Sequence, residues 1–265
     1  VNACRSGEKW IGTILTFDDG LVDHYRHVLP ILKKYGLWGI FFPSTGPLSN
    51  GTLLDVHKVH LILGKLGPDK ALEELNSIIE SEEIQVTVEK RWAENTYRLQ
   101  ESSDSASIEF KRILNYGIFG SHRKKVIDML ILGSIGSDEG SIASRYYMDK
   151  CHLIEMLSEG MLIGSHTINH PILSTLDERE QLNEIDVSTS FLESLTSEDI
   201  SVFAYPYGGK SSFDLVTERI LKKGGFAVSF TCEPRDISDR DFNYNQYALP
   251  RYDCNQFPFG NSTMG

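Results

Sequence analysis

The feature that most constrains the fold is an apolar run that stops abruptly at two acids and a glycine. Hydrophobic residues dominate residues 10–17, and Asp18, Asp19 and Gly20 follow at once. Such a run is typical of a buried β-strand that carries polar side chains at its carboxyl end. An Asp-Asp-Gly sequence is also an ordinary turn, because both residue types favour turns. A second signal is needed to choose between a site and a turn.

A pair of histidines supplies that second signal. His166 and His170 follow another short apolar stretch, residues 161–163. Histidines four residues apart can point the same way from one helical turn. Two neutral imidazoles and one carboxylate form a common three-ligand zinc set, which leaves one position open for water. Because both motifs follow strand-like segments, the sequence favours a metal site over a chance pair.

With these motifs the chain resembles the NodB-homology polysaccharide deacetylases, carbohydrate esterase family 4. The resemblance covers residues 10–50 and 148–251, with the motifs in the family's order. The three motifs are Thr16, Phe17, Asp18, Asp19, Gly20; His166, Thr167, Ile168, Asn169, His170; and Phe203, Ala204, Tyr205, Pro206, Tyr207, Gly208. Together they are specific, although each one alone is not.

The order of the predicted elements indicates an α/β fold. Residues 10–42 read as strand, helix and strand, a βαβ unit whose crossover is right-handed. Later strands are predicted at 161–164, 201–205, 226–230 and 247–251, with helices between them. The alternation favours a parallel barrel whose active face is the carboxyl end of the strands. The resemblance implies a distorted (β/α) barrel of about seven strands, a variant of the TIM barrel.

A long segment, residues 49–147, interrupts this alternation. It far exceeds a normal βα connection of about 2–6 residues, and its apolar spacing predicts helices at 53–66, 70–81 and 122–132. We interpret it as a helical insertion in a single barrel domain spanning residues 1–265; a small second domain fits the same pattern. Because it follows the second strand, we expect it beside the barrel mouth, where it would shape substrate access.

The resemblance gives the two acids different roles. Asp19 is expected to bind a metal with His166 and His170, and Asp18 to act as the general base. Zinc is the expected metal, and nickel, cobalt and manganese suit the same ligands. The backbone N–H of Tyr207 is expected to hold the oxyanion.

The third motif also suggests contacts with substrate. Tyr205 and Tyr207 could offer flat faces to a sugar ring, and Pro206 lies between them in a tight turn. Tyr205 and Pro206 are therefore the candidate substrate-binding residues. The alternative is an aromatic-proline turn that lines the edge of the core.

The chain departs from the family pattern in two places. Many members have an arginine, expected to orient the base, where this chain has Ala204; Arg251 is the candidate substitute, with a surface arginine as the alternative. The family's late Leu-x-x-His motif, which supplies the general acid, is absent from residues 247–265. His24 is the histidine that starts near enough to donate a proton. Metal-bound water, or Asp18 once it is protonated, could assist departure of the amine instead.

Composition excludes some partners. Lys and Arg total 26 against 37 Asp and Glu, a net charge of −11, which disfavours nucleic acid and anionic membranes. No run approaches the ~18 apolar residues of a membrane span. The cysteines show neither zinc nor disulfide spacing, so free thiols and a cytoplasmic location are expected. They are Cys4, Cys151, Cys232 and Cys254.

The sequence thus predicts a metal-dependent hydrolase that removes the N-acetyl group of an amino sugar. Its expected setting is the biosynthesis or remodelling of a surface polysaccharide, such as an O-antigen or capsule. A hydrolase of a non-sugar amide on the same site is one alternative. A carbohydrate-binding protein that keeps the metal without turnover is another, suggested by the missing arginine and histidine.

Overall fold

The computed structural model describes residues 12–88, 104–118, 120–136 and 139–257. The chain divides into two units, one from residues 1–51 and 144–265 and the other from residues 52–143. The start of the predicted first strand, at Trp10 and Ile11, and the predicted free thiol of Cys4 lie outside the described residues.

The first unit contains parallel strands. Strands β1 (Leu15–Asp18), β2 (Gly39–Phe42) and β3 (Leu162–Ile163) pair in that order, and β4 (Val202–Ala204) pairs with β5 (Val228–Phe230). One parallel bridge, from Ser165 to Phe203, continues the array from β3 to β4. Because every pairing is parallel, the carboxyl ends of the strands lie on one side. The three motifs follow β1, β3 and β4 there.

The predicted α/β class is confirmed, whereas the strand count differs from the prediction. The described residues contain five regular strands instead of about seven. The strand predicted at 247–251 is wrong: only Leu249 pairs there, through a single bridge to Phe230. Pro250 follows at once, and proline has no N–H with which to extend a ladder.

Helices account for most of the remaining described residues. In chain order they are α1 (Leu29–Tyr35), α2 (Thr45–Asn50), α3 (Asp55–Leu66), α4 (Pro68–Ser81), α5 (Ser105–Arg112), α6 (Gly120–Ile135), α7 (Glu139–Tyr146), α8 (Lys150–Ser158), α9 (Glu178–Thr196), α10 (Leu215–Lys223) and α11 (Asp239–Tyr244). Short π-helical segments occupy His24–Val28 and Ile113–Gly117. None of the helices in these ranges is long and apolar enough to cross a membrane.

The start of α9 corrects a predicted helix cap. The sequence predicts a helix from residue 176 to about 195 with Ser174 or Thr175 as its cap, but Asp177 is the cap. Its carboxylate accepts from Glu180 N, and the Glu180 carboxylate accepts from Asp177 N. A carboxylate with a Glu three residues later forms a reciprocal capping box. Ser174 and Thr175 instead lie in a short 3₁₀ turn.

The first unit packs α8, α9 and α10 against its strands. Their apolar side chains and those of the strands form one core, which includes Phe41, Leu153, Leu192, Phe203 and Leu221. This core fixes the strands, and therefore the loops at their carboxyl ends.

The second unit is helical, as predicted for the segment, and has its own core. Fully buried side chains from α3, α4, α5 and α6 form it, among them Ile62, Leu75, Phe110 and Ile127. Helix α5 occupies part of the stretch predicted as a polar connector, residues 101–107, of which 101–103 lie outside the described residues. Asp104 caps α5 by accepting from Ser107 N at 2.8 Å. The place of this unit beside the barrel mouth stays a prediction.

Candidate active site

Asp19, His166 and His170 lie together at the carboxyl ends of β1 and β3. One potential ligand atom from each lies within 4.8 Å of the others. The Nε2 atoms of His166 and His170 lie 3.3 and 3.4 Å from Asp19 Oδ1. Both imidazoles are buried. The structure therefore brings together the three residues that the sequence predicted as metal ligands.

The environment of His166 suits a metal ligand. Its Nδ1 lies 2.7 Å from the backbone oxygen of Ala204, which can only accept, so Nδ1 carries the proton and Nε2 keeps its lone pair. Burial alone lowers the pKa of His166, but Asp19 and Asp18 outweigh it and raise that pKa above the usual value. The cluster therefore favours positive charge at this point. One carboxylate oxygen and two imidazole nitrogens fit a divalent cation.

Asp18, the neighbour of Asp19, pairs with Arg251. Arg251 Nη1 and Nη2 donate to Asp18 Oδ1 and Oδ2 at 2.9 and 2.7 Å, a bidentate pair. Arg251 is itself held by Thr16 Oγ1 and Thr231 O, each at 3.0 Å. Burial acts to raise the pKa of Asp18, yet the guanidinium outweighs it and lowers that pKa. The predicted contact is present; a part in catalysis stays a prediction for both residues.

Backbone strain concentrates in the motifs. Six non-glycine residues of the described chain have positive φ, and four belong to the motifs: Asp19 (73°), Thr167 (65°), His170 (56°) and Tyr207 (63°). Such residues are uncommon, and each conformation costs on the order of 1–3 kcal/mol. The turn at Asp19 explains how adjacent acids face different partners. Strain that recurs at such positions is typical of functional sites.

The histidine loop, residues 166–170, is held from several sides. Thr167 Oγ1 accepts from His170 N at 3.0 Å, and Ser44 Oγ donates to His166 O at 2.8 Å. Helix α9 adds Glu184 and Ser188, which sequence reasoning missed. Both residues lie on the buried face of α9. Polar residues on a core-facing helical stripe were the signal that could have found them.

Tyr205 does not offer the exposed ring face that the sequence suggests. It is 1% exposed, its ring stacks on Phe213 with 3.9 Å between centroids, and its hydroxyl donates to Tyr247 O at 2.7 Å. It is a core residue, directly after the end of β4. Pro206 is buried too, and its contact with substrate stays a prediction. Tyr207 is half-buried, with its ring centroid 4.9 Å from that of His170.

His24 lies in the field of both acids. Its ring lies beside the rings of Phe17 and Phe41. His24 begins a π-helical segment, and such segments are frequent at functional sites. Its Nδ1 is buried and makes no hydrogen bond to the residues that the structure describes. Burial lowers the pKa of His24, while Asp19 and Asp18 act in the opposite direction. Its role as a proton donor stays a prediction.

Sequence comparison finds relatives of one kind. Residues 139–228 match the model of the polysaccharide deacetylase family. The chain is 29% identical over 111 residues to YxkH of Bacillus subtilis, named as a polysaccharide deacetylase. It is 34% identical over 98 residues to the peptidoglycan-N-acetylmuramic acid deacetylase PdaC of the same organism. These matches cover 42% and 37% of this chain but only 38% and 19% of the relatives.

Solved structures share the fold. The deacetylase PplD of Streptococcus pyogenes aligns with a TM-score of 0.55 at 17% identity, over 95% of this chain and 69% of its own. The BpsB deacetylase domain of Bordetella bronchiseptica aligns with a TM-score of 0.51 at 12% identity, over 95% and 75%. At such low sequence identities, the structural similarity shows only that the fold is shared. Together with the family match, it confirms the resemblance found from the motifs.

Proposed function

We propose that the chain, which resembles the polysaccharide deacetylases in its three motifs and matches their family model over residues 139–228, is a metal-dependent hydrolase that removes N-acetyl groups from an amino sugar of a surface polysaccharide. One observation carries the proposal. An ionised, oriented carboxylate, Asp18, lies next to a separate set of three candidate ligands, Asp19, His166 and His170. Amide hydrolysis by this chemistry needs both a base and a metal site, side by side.

Each group then has one task. A divalent metal held by Asp19, His166 and His170, zinc in the first instance, would polarise the amide carbonyl and make the attacking water more acidic. Asp18 accepts a proton from that water, and the two hydrogen bonds from Arg251 fix the direction in which its oxygens face. The backbone N–H of Tyr207 donates to the developing oxyanion, a role for a fixed dipole.

Departure of the amine needs a proton on its nitrogen. Asp18 holds one after the first step and can return it, which replaces the general acid of the missing Leu-x-x-His motif. His24 is the second candidate, since its buried ring lies within the field of both acids. Substitution of His24 by Phe, which keeps an aromatic ring against Phe17, separates these two donors.

The setting of the site forms part of the same proposal. The two parallel sheets, linked through Ser165 and Phe203, are consistent with part of a distorted barrel. The helical segment, residues 52–143, is proposed to shape substrate access. A cytoplasmic location is proposed because the cysteine spacing does not indicate disulfides. Cys151, Cys232 and Cys254 are free thiols in the part of the chain that the structure describes.

Acetate release tests the function. The protein, loaded with Zn²⁺, is assayed on N-acetylglucosamine oligomers, a nucleotide-linked N-acetylamino sugar and an acetyl-lysine peptide. Release from a sugar substrate supports the proposal, and the better sugar identifies the substrate class. Release from the peptide alone supports the amidase alternative, and sugar binding without release supports the binding protein.

A further inference from the structure

We propose that Glu184 of α9 is a positioning residue that holds His170 in its ligand position. The inference rests on the proposed function, because His170 is a ligand only if the site binds a metal. It does not follow from the three motifs, since Glu184 lies outside all of them.

The carboxylate of Glu184 is dedicated to the histidine loop. Its Oε2 accepts from Ile168 N and Asn169 N, both at 2.9 Å, and its Oε1 accepts from Asn169 Nδ2 at 2.7 Å. All three donors come from the two residues immediately before His170. Glu184 therefore binds the segment between His166 and His170 through three hydrogen bonds.

That stretch needs an external hold. The residues on either side of it, Thr167 and His170, both have left-handed backbone angles. Thr167 is β-branched, and a β-branched residue with positive φ is a genuine outlier. Within the loop, the bond from His170 N to Thr167 Oγ1 opposes relaxation to ordinary angles. From outside, Thr45 N and Gly46 N donate to the carbonyls of Thr167 and Ile168, and Glu184 accepts from the N–H groups of Ile168 and Asn169. Loss of the bonds to Glu184 would free the backbone that sets the direction of the His170 ring.

A carboxylate at position 184 is better suited to accepting the loop's N–H groups than to filling space in the core. A carboxylate is acceptor-only and can take N–H groups on both oxygens. Burying one is unfavourable unless its hydrogen bonds are made. The other polar residues on this face of α9, Gln181 and Ser188, are neutral and even more buried. The charge is thus placed at the one point where the helix meets the histidine loop's N–H groups.

The affinity for Zn²⁺, measured by competition with a chromogenic chelator, tests the inference. Glu184→Ala should weaken binding by about 10–100-fold, the usual effect of removing an outer partner of a metal ligand. Glu184→Gln should stay near wild type. Its amide oxygen keeps both backbone N–H groups, and Asn169 can turn its amide to accept from the new NH₂.

Gln181→Ala is the matched control. Gln181 lies one turn earlier on the same face, is 1% exposed and bonds Leu176 O and Thr217 Oγ1 instead of the loop. This variant should lose stability and keep its affinity for Zn²⁺. An equal loss of affinity in both alanine variants would mean general destabilisation and would overturn the inference.

A second readout does not depend on metal. Amide hydrogen exchange at Ile168 and Asn169 in the metal-free protein should accelerate in Glu184→Ala and stay slow in Gln181→Ala. If wild type binds no Zn²⁺, the proposed function fails while these amides still report on Glu184; unchanged exchange would overturn its role. Wild-type Zn²⁺ affinity in Glu184→Ala would also overturn that role and leave the proposed function standing.

Discussion

The acidic loop after β1, residues 18–20, and the histidine loop, residues 166–170, both carry strained residues, yet they are held in opposite ways. The acidic loop is tied by a cation 233 residues away in the chain, Arg251. The histidine loop is tied through its backbone, by Glu184 and Ser188 of the following helix α9 and by Ser44 before α2. The first hold is a bidentate ion pair on a side chain, and the second is a set of hydrogen bonds to backbone.

The difference matches two chemical tasks. Asp18 must stay a carboxylate with a defined direction, so its side chain is gripped and its pKa lowered by Arg251 after burial has acted to raise it. His166 and His170 must keep their nitrogens in place, so their backbone is gripped and their rings are left to face Asp19. The account therefore predicts that loss of the Asp18–Arg251 pair affects turnover, whereas damage to the histidine loop or to Asp19 affects metal binding.

The largest effect is expected for Asp18→Asn. The amide cannot accept the proton of the attacking water, so turnover should fall by roughly 10²–10⁴, the worth of a positioned general base. The candidate ligands are untouched, so bound metal should stay near the wild-type amount and added metal should not restore the rate. Parallel assays of metal content and acetate release check this; loss of metal would show that Asp18 is a ligand.

Asp19→Asn should fail in the opposite way. A neutral amide replaces the only anionic ligand, so metal affinity should fall, because ligand charge strongly affects affinity for a divalent ion. Excess Zn²⁺ should restore part of the activity. Titrating Zn²⁺ against the rate of acetate release measures both quantities. Unchanged metal content and rate would reduce the Asp-Asp-Gly sequence to a turn.

A smaller effect on turnover is expected for Arg251→Ala. Asp18 then keeps its charge but loses its fixed direction, and misplacement of a catalytic group by about 1 Å can lower the rate ~10²-fold. Arg251→Lys should recover only part of this, since lysine cannot form the bidentate pair. The effect should appear in kcat with little change in KM or metal content. Arg235→Ala is the control, because Arg235 makes the same kind of bidentate pair with Asp241, a carboxylate that belongs to neither loop.

Asp241→Asn should have almost no effect on turnover, in contrast to Asp18→Asn. In the wild-type protein, the bidentate bonds from Arg235 hold the pKa of the buried Asp241 carboxyl well below the usual range. A group with a lowered native pKa stabilises the fold above its unfolded pKa, near 4, and loses that effect as pH falls toward the native value. The variant should therefore lose on the order of 1–3 kcal/mol of unfolding free energy at pH 7.

Denaturant unfolding at several pH values checks this last prediction. The difference in unfolding free energy between wild type and Asp241→Asn should be constant from pH 6 to 7. It should shrink below about pH 5, where the aspartate of the unfolded chain begins to protonate. A gap that does not change down to pH 3 would contradict an ionic origin. A large fall in acetate release at neutral pH would contradict the separation of this pair from the site.

The sequence predicted the parts of the site that depend on local pattern. The acids at the end of β1 and the histidines after β3 are predicted because each pair follows an apolar run. The apolar spacing before Gly160 likewise predicts a helix at 150–158, which is α8. Arg251 is predicted because the family resemblance implies an arginine that orients Asp18, and this chain has Ala204 in its place. These inferences needed a motif or a missing partner, and the sequence contained both.

Other parts depend on which way a side chain faces. Tyr205 reads as a surface aromatic in its motif, and its burial against Phe213 follows only from how β4 packs. Glu184 is one of several acids on α9, such as Glu178, Glu180 and Glu193, and sequence alone does not single it out. The strand predicted at 247–251 is wrong because only Leu249 pairs there, and Pro250 has no N–H with which to continue the ladder.

Metal reconstitution tests the central claim most directly. The wild-type protein is stripped with a chelator, titrated with Zn²⁺ and assayed for acetate release from the best sugar substrate. The account predicts that the stripped protein is inactive and that the rate rises until one Zn²⁺ is bound per chain, with no rise in a His166→Ala, His170→Ala double variant. Full activity of the stripped protein, or equal activation of that variant, would contradict the account.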